Sequence, residues 1–415
     1  MGRKGRFLVV LAGLALIASV ATTAAFGARH ADPGVTSTTI KIGGTFPLTG
    51  IASPYKTIPA AEGAYFAYVN AHGGVNGRKI DFTVLDDAYD PSKTVPLTQQ
   101  LVEQDGIFAD FGSLGTAPNL SIWSYLNQHK VPQVLIATGD SYWGFSAKKY
   151  PWTIGYQPDY PGEGKVYGKY IAANMPNAKI GVLYQNDAFG KNYFAGLRVG
   201  LGKKKGQIVA SQSYDPTQTS LVQQVLALKA AGADTFVIFA IPPQAITAMV
   251  TATKVGWSPR VFLGNVSGNP IYLRIAAQNG ANVDGVISTG YLVDTLNPSQ
   301  ANLTGITLAK SIIGTYAPPL LPSLNGGDAN VIYGLGAAWT FVYALQHAGK
   351  TPTRVGLMKA LKSMQNVKDP FLYPGITLNT SAKDNFPVEQ EILVKWAGGA
   401  TGDWVAFGKL YNNVR

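Results

Sequence analysis

The sequence predicts an α/β fold made of two related lobes, each with a parallel-rich sheet. From Thr39 onward short β-branched runs alternate with helical patterns, and strands that alternate with helices make parallel sheets covered on both faces. The run Asp90-Pro91-Ser92-Lys93-Thr94, followed by Gln99-Gln100, returns about 125 positions later as Asp215-Pro216-Thr217-Gln218-Thr219, followed by Gln223-Gln224. Each copy stands ahead of a strand, so the chain reads as two similar units and not one large sheet. With 415 residues, 46% of them hydrophobic and only 14% charged, both units can bury a core.

The first segment is read as an address. Arg3, Lys4 and Arg6 precede an uncharged stretch from Phe7 to Phe26 that ends in small residues, the order of a secretory signal over residues 1–28. An uncleaved membrane anchor is the rival reading, because twenty uncharged residues can just span a bilayer. The mature chain is expected to be exported, in a periplasm or cell-envelope space, soluble or held by that signal.

Ile40-Lys41-Ile42-Gly43 then reads as a strand. A helix opens with Pro59 in its first turn and sets Ala61, Ala64, Tyr65, Tyr68 and Val69 on one face before His72-Gly73-Gly74 stops it. Asn76-Gly77 turns the chain into a strand from Lys79 to Leu85. Further strands are expected near 107–111, 133–136, 180–184, 208–211, 235–239 and 261–263, with helical stretches between them. Trp339, Phe341 and Tyr343 fit a helical pattern and are read as core.

Several chemistries are excluded. There is no cysteine, hence no disulfide, thiolate metal site, thiol nucleophile or lipidated N-terminal cysteine. The four histidines have no ligand spacing, and no metal or cofactor is expected. The net charge of +11 contains one dense basic run, Lys203-Lys204-Lys205, read as a solvated helix end, so nucleic acid is not an expected partner. Phosphate loop, dinucleotide fingerprint and nucleophile elbow are all missing. Asp86-Asp87 is a conceivable acid–base pair, but neighbours at a strand end point to opposite faces. No catalytic residue is assigned.

Ligands of open parallel sheets bind beyond the carboxyl ends of the strands, so a cleft between two lobes is the expected site. The loop from Gly112 to Asn119 sets small hydroxyl residues between a strand and a helix. Backbone N–H groups there, with the Ser113 or Thr116 hydroxyl, make an anion site or simply cap the helix. The next such junction, Ala137 to Trp143, is again small and polar. Tyr55, Tyr142, Trp143, Tyr156, Tyr184 and Phe189 are candidate cleft aromatics.

The stretches Ile40-Lys41-Ile42-Gly43-Gly44-Thr45-Phe46-Pro47-Leu48-Thr49-Gly50 and Asn70-Ala71-His72-Gly73-Gly74-Val75-Asn76-Gly77-Arg78 resemble the branched-chain amino acid (Leu/Ile/Val) binding proteins. These have the type I periplasmic binding fold and serve as receptors of ABC importers. The similarity continues through Asp86-Asp87, the Gly112 loop, Asn186-Asp187-Ala188-Phe189-Gly190, Gly256 and Pro374-Gly375-Ile376-Thr377-Leu378. It implies two Rossmann-like lobes joined by a three-crossover hinge: lobe 1 at 35–154 and 288–365, lobe 2 at 155–287 and 366–415.

The resemblance also implies roles. Thr116 would bind the ligand carboxylate with the Ala117 amide beside it, Gly139 and Ser141 would form a second ligand loop, Phe189 a wall, and Tyr55 a cover. Amino-acid binders of this family carry an acid after the strand matching Val261-Phe262-Leu263-Gly264, where this chain has Asn265. Either Asp140 or Asp187 replaces it or the ligand is not an amino acid. The expected function is an extracytoplasmic solute-binding receptor, a monomer that takes an amino acid or an apolar or aromatic organic acid and hands it to permease membrane subunits. A sensor for a membrane signalling partner is the alternative, and an exported hydrolase using Asp86 or Asp87 a remote one.

Overall fold

Runs of fully buried β-branched and aromatic residues, such as Thr235-Phe236-Val237-Ile238-Phe239, build the strands, and helices with one apolar face cover them. The structure, a computed structural model, describes residues 1–2, 32–146 and 148–412, and the expected export signal lies outside these apart from Met1 and Gly2. The first half runs β1 (Thr39–Phe46), α1 (Thr57–Ala71), β2 (Lys79–Asp86), α2 (Pro91–Gln99), β3 (Ala109–Phe111), α3 (Thr116–Gln128), β4 (Gln133–Ile136), α4 (Tyr142–Phe145) and β5 (Thr153–Gly155). These strands form a parallel sheet in the order β2-β1-β3-β4-β5.

The chain then crosses over to α5 (Tyr160–Asn174), β6 (Ile180–Gln185), α6 (Ala188–Leu201), β7 (Ile208–Tyr214), α7 (Val222–Ala230) and β8 (Thr235–Phe239). It continues through α8 (Pro242–Lys254), β9 (Arg260–Leu263), α9 (Pro270–Gln278) and β10 (Ile287–Gly290). A second crossing leads to α10 (Thr304–Tyr316), α11 (Leu321–Asn325), α12 (Ala329–His347) and α13 (Arg354–Leu361), and both α10 and α12 pack on α1 beside the first sheet. A third returns to β11 (Gln390–Ala397) and β12 (Asp403–Asn412). Among the described residues the second sheet has the order β12-β11-β10-β9-β8-β6-β7, parallel except for the antiparallel pairs that β11 makes with β10 and β12.

This is the two-sheet, parallel-rich α/β fold that the sequence predicts, with the three crossings that the resemblance implies. β10 keeps the chain in the second sheet until Gly290, where the second crossing begins. Lys203, Lys204 and Lys205 lie exposed just after α6, and Phe341 is fully buried in α12.

Candidate functional site

Nearly every parallel strand ends on one cavity. The segments after β1, β2, β3, β4 and β5 contribute Tyr55, Tyr89, Thr116, Ala137 and Gln157 to its wall, and those after β6, β8, β9 and β10 contribute Phe189, Ile241, Asn265 and Tyr291. Such convergence of strand ends is where open parallel sheets take ligands. The cavity holds about 1270 Å³ of atom-free space, its open mouth included, enough for a small organic molecule. Among the described residues no lysine, arginine or histidine lines it, whereas Tyr55, Tyr89, Tyr160, Tyr291, Tyr333 and Tyr373 do.

The first turn of α3 brings a positive helix end to the wall. Gly115 precedes it at φ +103°, and no side chain caps the helix. The N–H groups of Thr116 and Ala117 therefore lack intrahelical partners at the positive end of the helix dipole. Gly115 also makes room: a Cβ there would stand 2.5 Å from Cε2 of Tyr89. Tyr89 itself sits at φ +65°, held there by its amide donating to Asp87 Oδ1 at 2.9 Å. The loop is fixed from below by Asn119, whose Nδ2 donates to the carbonyls of Ser113 and Gly115 at 2.8 and 2.9 Å. Thr116 is buried, its hydroxyl hydrogen-bonded to that of Thr138 at 2.6 Å.

Of the residues singled out in the sequence, Tyr55, Thr116, Phe189 and Asn265 line the cavity. Ala117 follows Thr116 in the first turn of α3, off the wall. The Ser113 hydroxyl is engaged behind the loop, donating to Asp110 Oδ1 at 2.6 Å and accepting from the Thr45 amide at 3.0 Å. Gly139 packs against the crossing, where a Cβ would lie 2.4 Å from the Pro158 carbonyl oxygen. Ser141 donates to Asn192 Oδ1 at 2.7 Å, and Asp187 caps α6 while accepting from Gln185 Nε2 at 2.6 Å.

Four of the aromatic candidates stand elsewhere. Tyr142 is exposed, Trp143 packs against Trp123 in a separate small core, Tyr156 donates to Asp369 Oδ2 at 3.2 Å, and Tyr184 packs on Phe194. Sequence reasoning missed the wall residues Tyr89, Gln157, Tyr160, Tyr291 and Tyr333. Tyr89 stands three positions past a strand that the sequence does show, so the strand-end rule points to it. Tyr291 follows β10, whose four residues were not read as a strand.

Carboxyl groups also stand on and behind the cavity wall. Glu163 lies buried behind Asn265, accepting from the Tyr167 hydroxyl at 2.6 Å, the Asn265 amide at 2.7 Å and the Tyr193 hydroxyl. Burial raises its pKa against the pull of those donors. Asp328 and Asp294 line the cavity, and burial raises both. Asp328 Oδ1 accepts from Asn269 Nδ2 at 2.7 Å, and Asp294 Oδ1 from the Leu296 amide at 2.9 Å. Asp140, off the wall, is pushed up to about 6 by burial, with Asp187 and Asp159 adding to the effect.

Direct bonds join the two sides of the cavity. The Tyr55 hydroxyl donates to the Val266 carbonyl at 3.1 Å, that of Tyr272 to the Pro54 carbonyl at 2.9 Å, and Asn192 Nδ2 to Asp140 Oδ2 at 3.0 Å. The two halves are thus drawn together over the space between them. Asp86 and Asp87 are occupied in the turn after β2: Asp86 accepts from the Leu48 amide at 2.9 Å and the Thr49 hydroxyl at 2.6 Å, and Asp87 from the Thr94 hydroxyl at 2.8 Å.

Comparison with known proteins agrees with this architecture. The profile of the family described as periplasmic binding protein matches residues 39–401. Leu/Ile/Val-binding protein homolog 3 of Brucella melitensis is 26% identical over 305 residues, 72% of this chain and 79% of the relative. A solved branched chain amino acid ABC transporter from Thermus thermophilus with bound valine superposes with a TM-score of 0.78 at 18% identity, covering 91% of this chain and 97% of that one. A fatty acid ABC transporter substrate-binding protein from Thermomonospora curvata gives 0.76 at 23% identity, covering 91% and 94%. The profile runs across both sheets, and the chain belongs to the periplasmic binding protein family, type I in fold, a family of binding proteins and not of enzymes.

Proposed function

We propose that this protein is the exported receptor of an ABC importer, whose lobes, 35–154 with 288–365 and 155–287 with 366–415, close on a small carboxylate-bearing solute and present it to a permease. The names of its relatives support the transport role, since they include ABC transporter substrate-binding proteins. The observation that carries the ligand class is the uncapped start of α3 on a wall without basic side chains. An anion there gains charge-assisted bonds from the Thr116 hydroxyl, which also meets that of Thr138, from the Thr116 and Ala117 amides, and from the helix dipole. Leu114, Ile241, Val266 and Leu292 offer an apolar lining for the rest of the solute, as a branched-chain amino acid or an apolar or aromatic acid would use. Contacts made to both lobes at once exist only in the closed state, so the solute shifts the population toward closure.

Titration calorimetry of wild type and Thr116→Ala with a panel of amino acids and organic acids tests this reading. The substitution is expected to weaken binding by roughly 1–3 kcal/mol, the cost of losing one hydrogen bond to a buried charge. Unchanged affinity would remove the Thr116 hydroxyl from the site, and a panel in which no acid binds would defeat the carboxylate reading.

A further inference from the structure

Several buried hydrogen-bond donors on the cavity wall have no acceptor among the described residues: Gln300 Nε2 is one, and two more, on Tyr291 and Gln157, border Tyr333. Tyr291, 4% exposed, stands where the chain leaves β10 for its second crossing, and its hydroxyl makes no hydrogen bond among the described residues. Gln157, 7% exposed, stands on the first crossing, between β5 and α5. Its Oε1 accepts from the Tyr333 hydroxyl at 3.2 Å, which turns Nε2 away from that partner, and Nε2 also finds no acceptor. Both residues face the cavity. Buried phenols and carboxamides are normally paired, and the nearby phenols of Tyr55, Tyr167 and Tyr272 each donate to a protein oxygen. Two such exceptions beside one residue, Tyr333, leave a place for an acceptor that arrives with the solute.

Charge decides what that acceptor is. Glu163 and Glu391 lie within electrostatic reach of the Tyr291 phenol, and Asp294 and Asp328 share the cavity, so a second anion at this place meets repulsion. An ammonium brings donors to donors. Neither Asp140 nor Asp187 reaches the wall to replace the carboxylate absent at Asn265: the first faces Asn192 and the second caps α6. An uncharged oxygen satisfies both donors without either penalty.

Resting on the reading of an acid held at α3, we propose that Tyr291 and Gln157 form a second pole of the site that takes an uncharged carbonyl or hydroxyl oxygen, which makes the preferred solute an oxo- or hydroxy-acid in place of a hydrocarbon acid or an amino acid. A site built to hydrogen-bond such an oxygen discriminates against analogues that lack it, because its own groups are then left unpaired.

Calorimetry with probes of one skeleton tests the second pole. One set is 4-methyl-2-oxopentanoate, 4-methylpentanoate and leucine; a second, with the oxygen further from the carboxylate, is 3-(4-hydroxyphenyl)propanoate and 3-phenylpropanoate. Wild type is expected to bind the oxygenated member of at least one set tenfold or more tighter than its oxygen-free partner, with leucine weakest in its set. Tyr291→Phe, which keeps the ring, is expected to erase that preference by weakening the oxygenated acid tenfold or more, and Gln157→Leu to reduce it in part. Equal affinities within both sets, leucine as the tightest probe, or a preference that survives in Tyr291→Phe would overturn the second pole and leave the carboxylate site standing. If wild type binds none of these acids, the carboxylate reading fails and the second pole fails with it.

Discussion

Asp110 illustrates what a single buried carboxyl imposes. It lies on β3 with Oδ1 accepting from Ser113 and Oδ2 enclosed without a partner, and burial pushes its pKa up to about 7. A carboxyl whose folded pKa lies above its unfolded value stabilises the fold while protonated. That contribution is complete below about pH 4 and is lost as pH rises through about 7, at up to about 1.4 kcal/mol per unit. Asp369, also raised to about 7 by burial, acts in the same direction. Melting temperature should therefore fall between pH 5 and pH 8 in wild type, and Asp110→Asn should fall less over that range; an identical pH dependence in the variant would show Asp110 to be ionised throughout. The Gly112 loop was legible in the sequence because small hydroxyl residues between a strand and a helix have few other uses. That Ser113 would be taken by Asp110 was not, since it depends on which way the β3 side chain turns. Tyr291 and Gln157 were not legible either, because a tyrosine or glutamine on a crossing has no periodicity to mark it.

The pairing of α5 with α6 depends on glycine. Gly168 on α5 faces Gly200 on α6, Gly164 faces the Tyr193 backbone, and a Cβ at Gly196 would lie 2.1 Å from the Pro161 carbonyl oxygen. The backbones approach too closely for any side chain, and this pair carries Phe189 and Tyr160 to the cavity, where their rings meet edge to face at 5.1 Å. Gly196→Ala should destabilise the protein by roughly 1–3 kcal/mol in chemical denaturation despite alanine's better helix propensity. Stability equal to or above wild type would mean that the helices can slide apart. Strands with buried β-branched runs were readable up to β9. β5 and β10 are too short to show a pattern, and β11 interrupts its apolar run with Glu391, buried against the Thr289 hydroxyl, and with the exposed Lys395.

Across the molecule, three crossings place the carboxyl ends of two sheets against each other, and the cavity is what lies between them. The alternation of strands and helices and the repeated Asp-Pro segment made this two-part plan readable. Which loops would meet across the gap was not readable, since Tyr55 and Val266 are 211 positions apart and touch only once both sheets are built. The plan requires that solute be held between the halves with its negative end on α3. A crystal structure of the protein grown with the acid that calorimetry ranks tightest is the direct measurement. The carboxylate oxygens should lie within hydrogen-bonding distance of the Thr116 and Ala117 amides with both halves touching the solute; a carboxylate bound elsewhere, or a solute resting on one half alone, would contradict it.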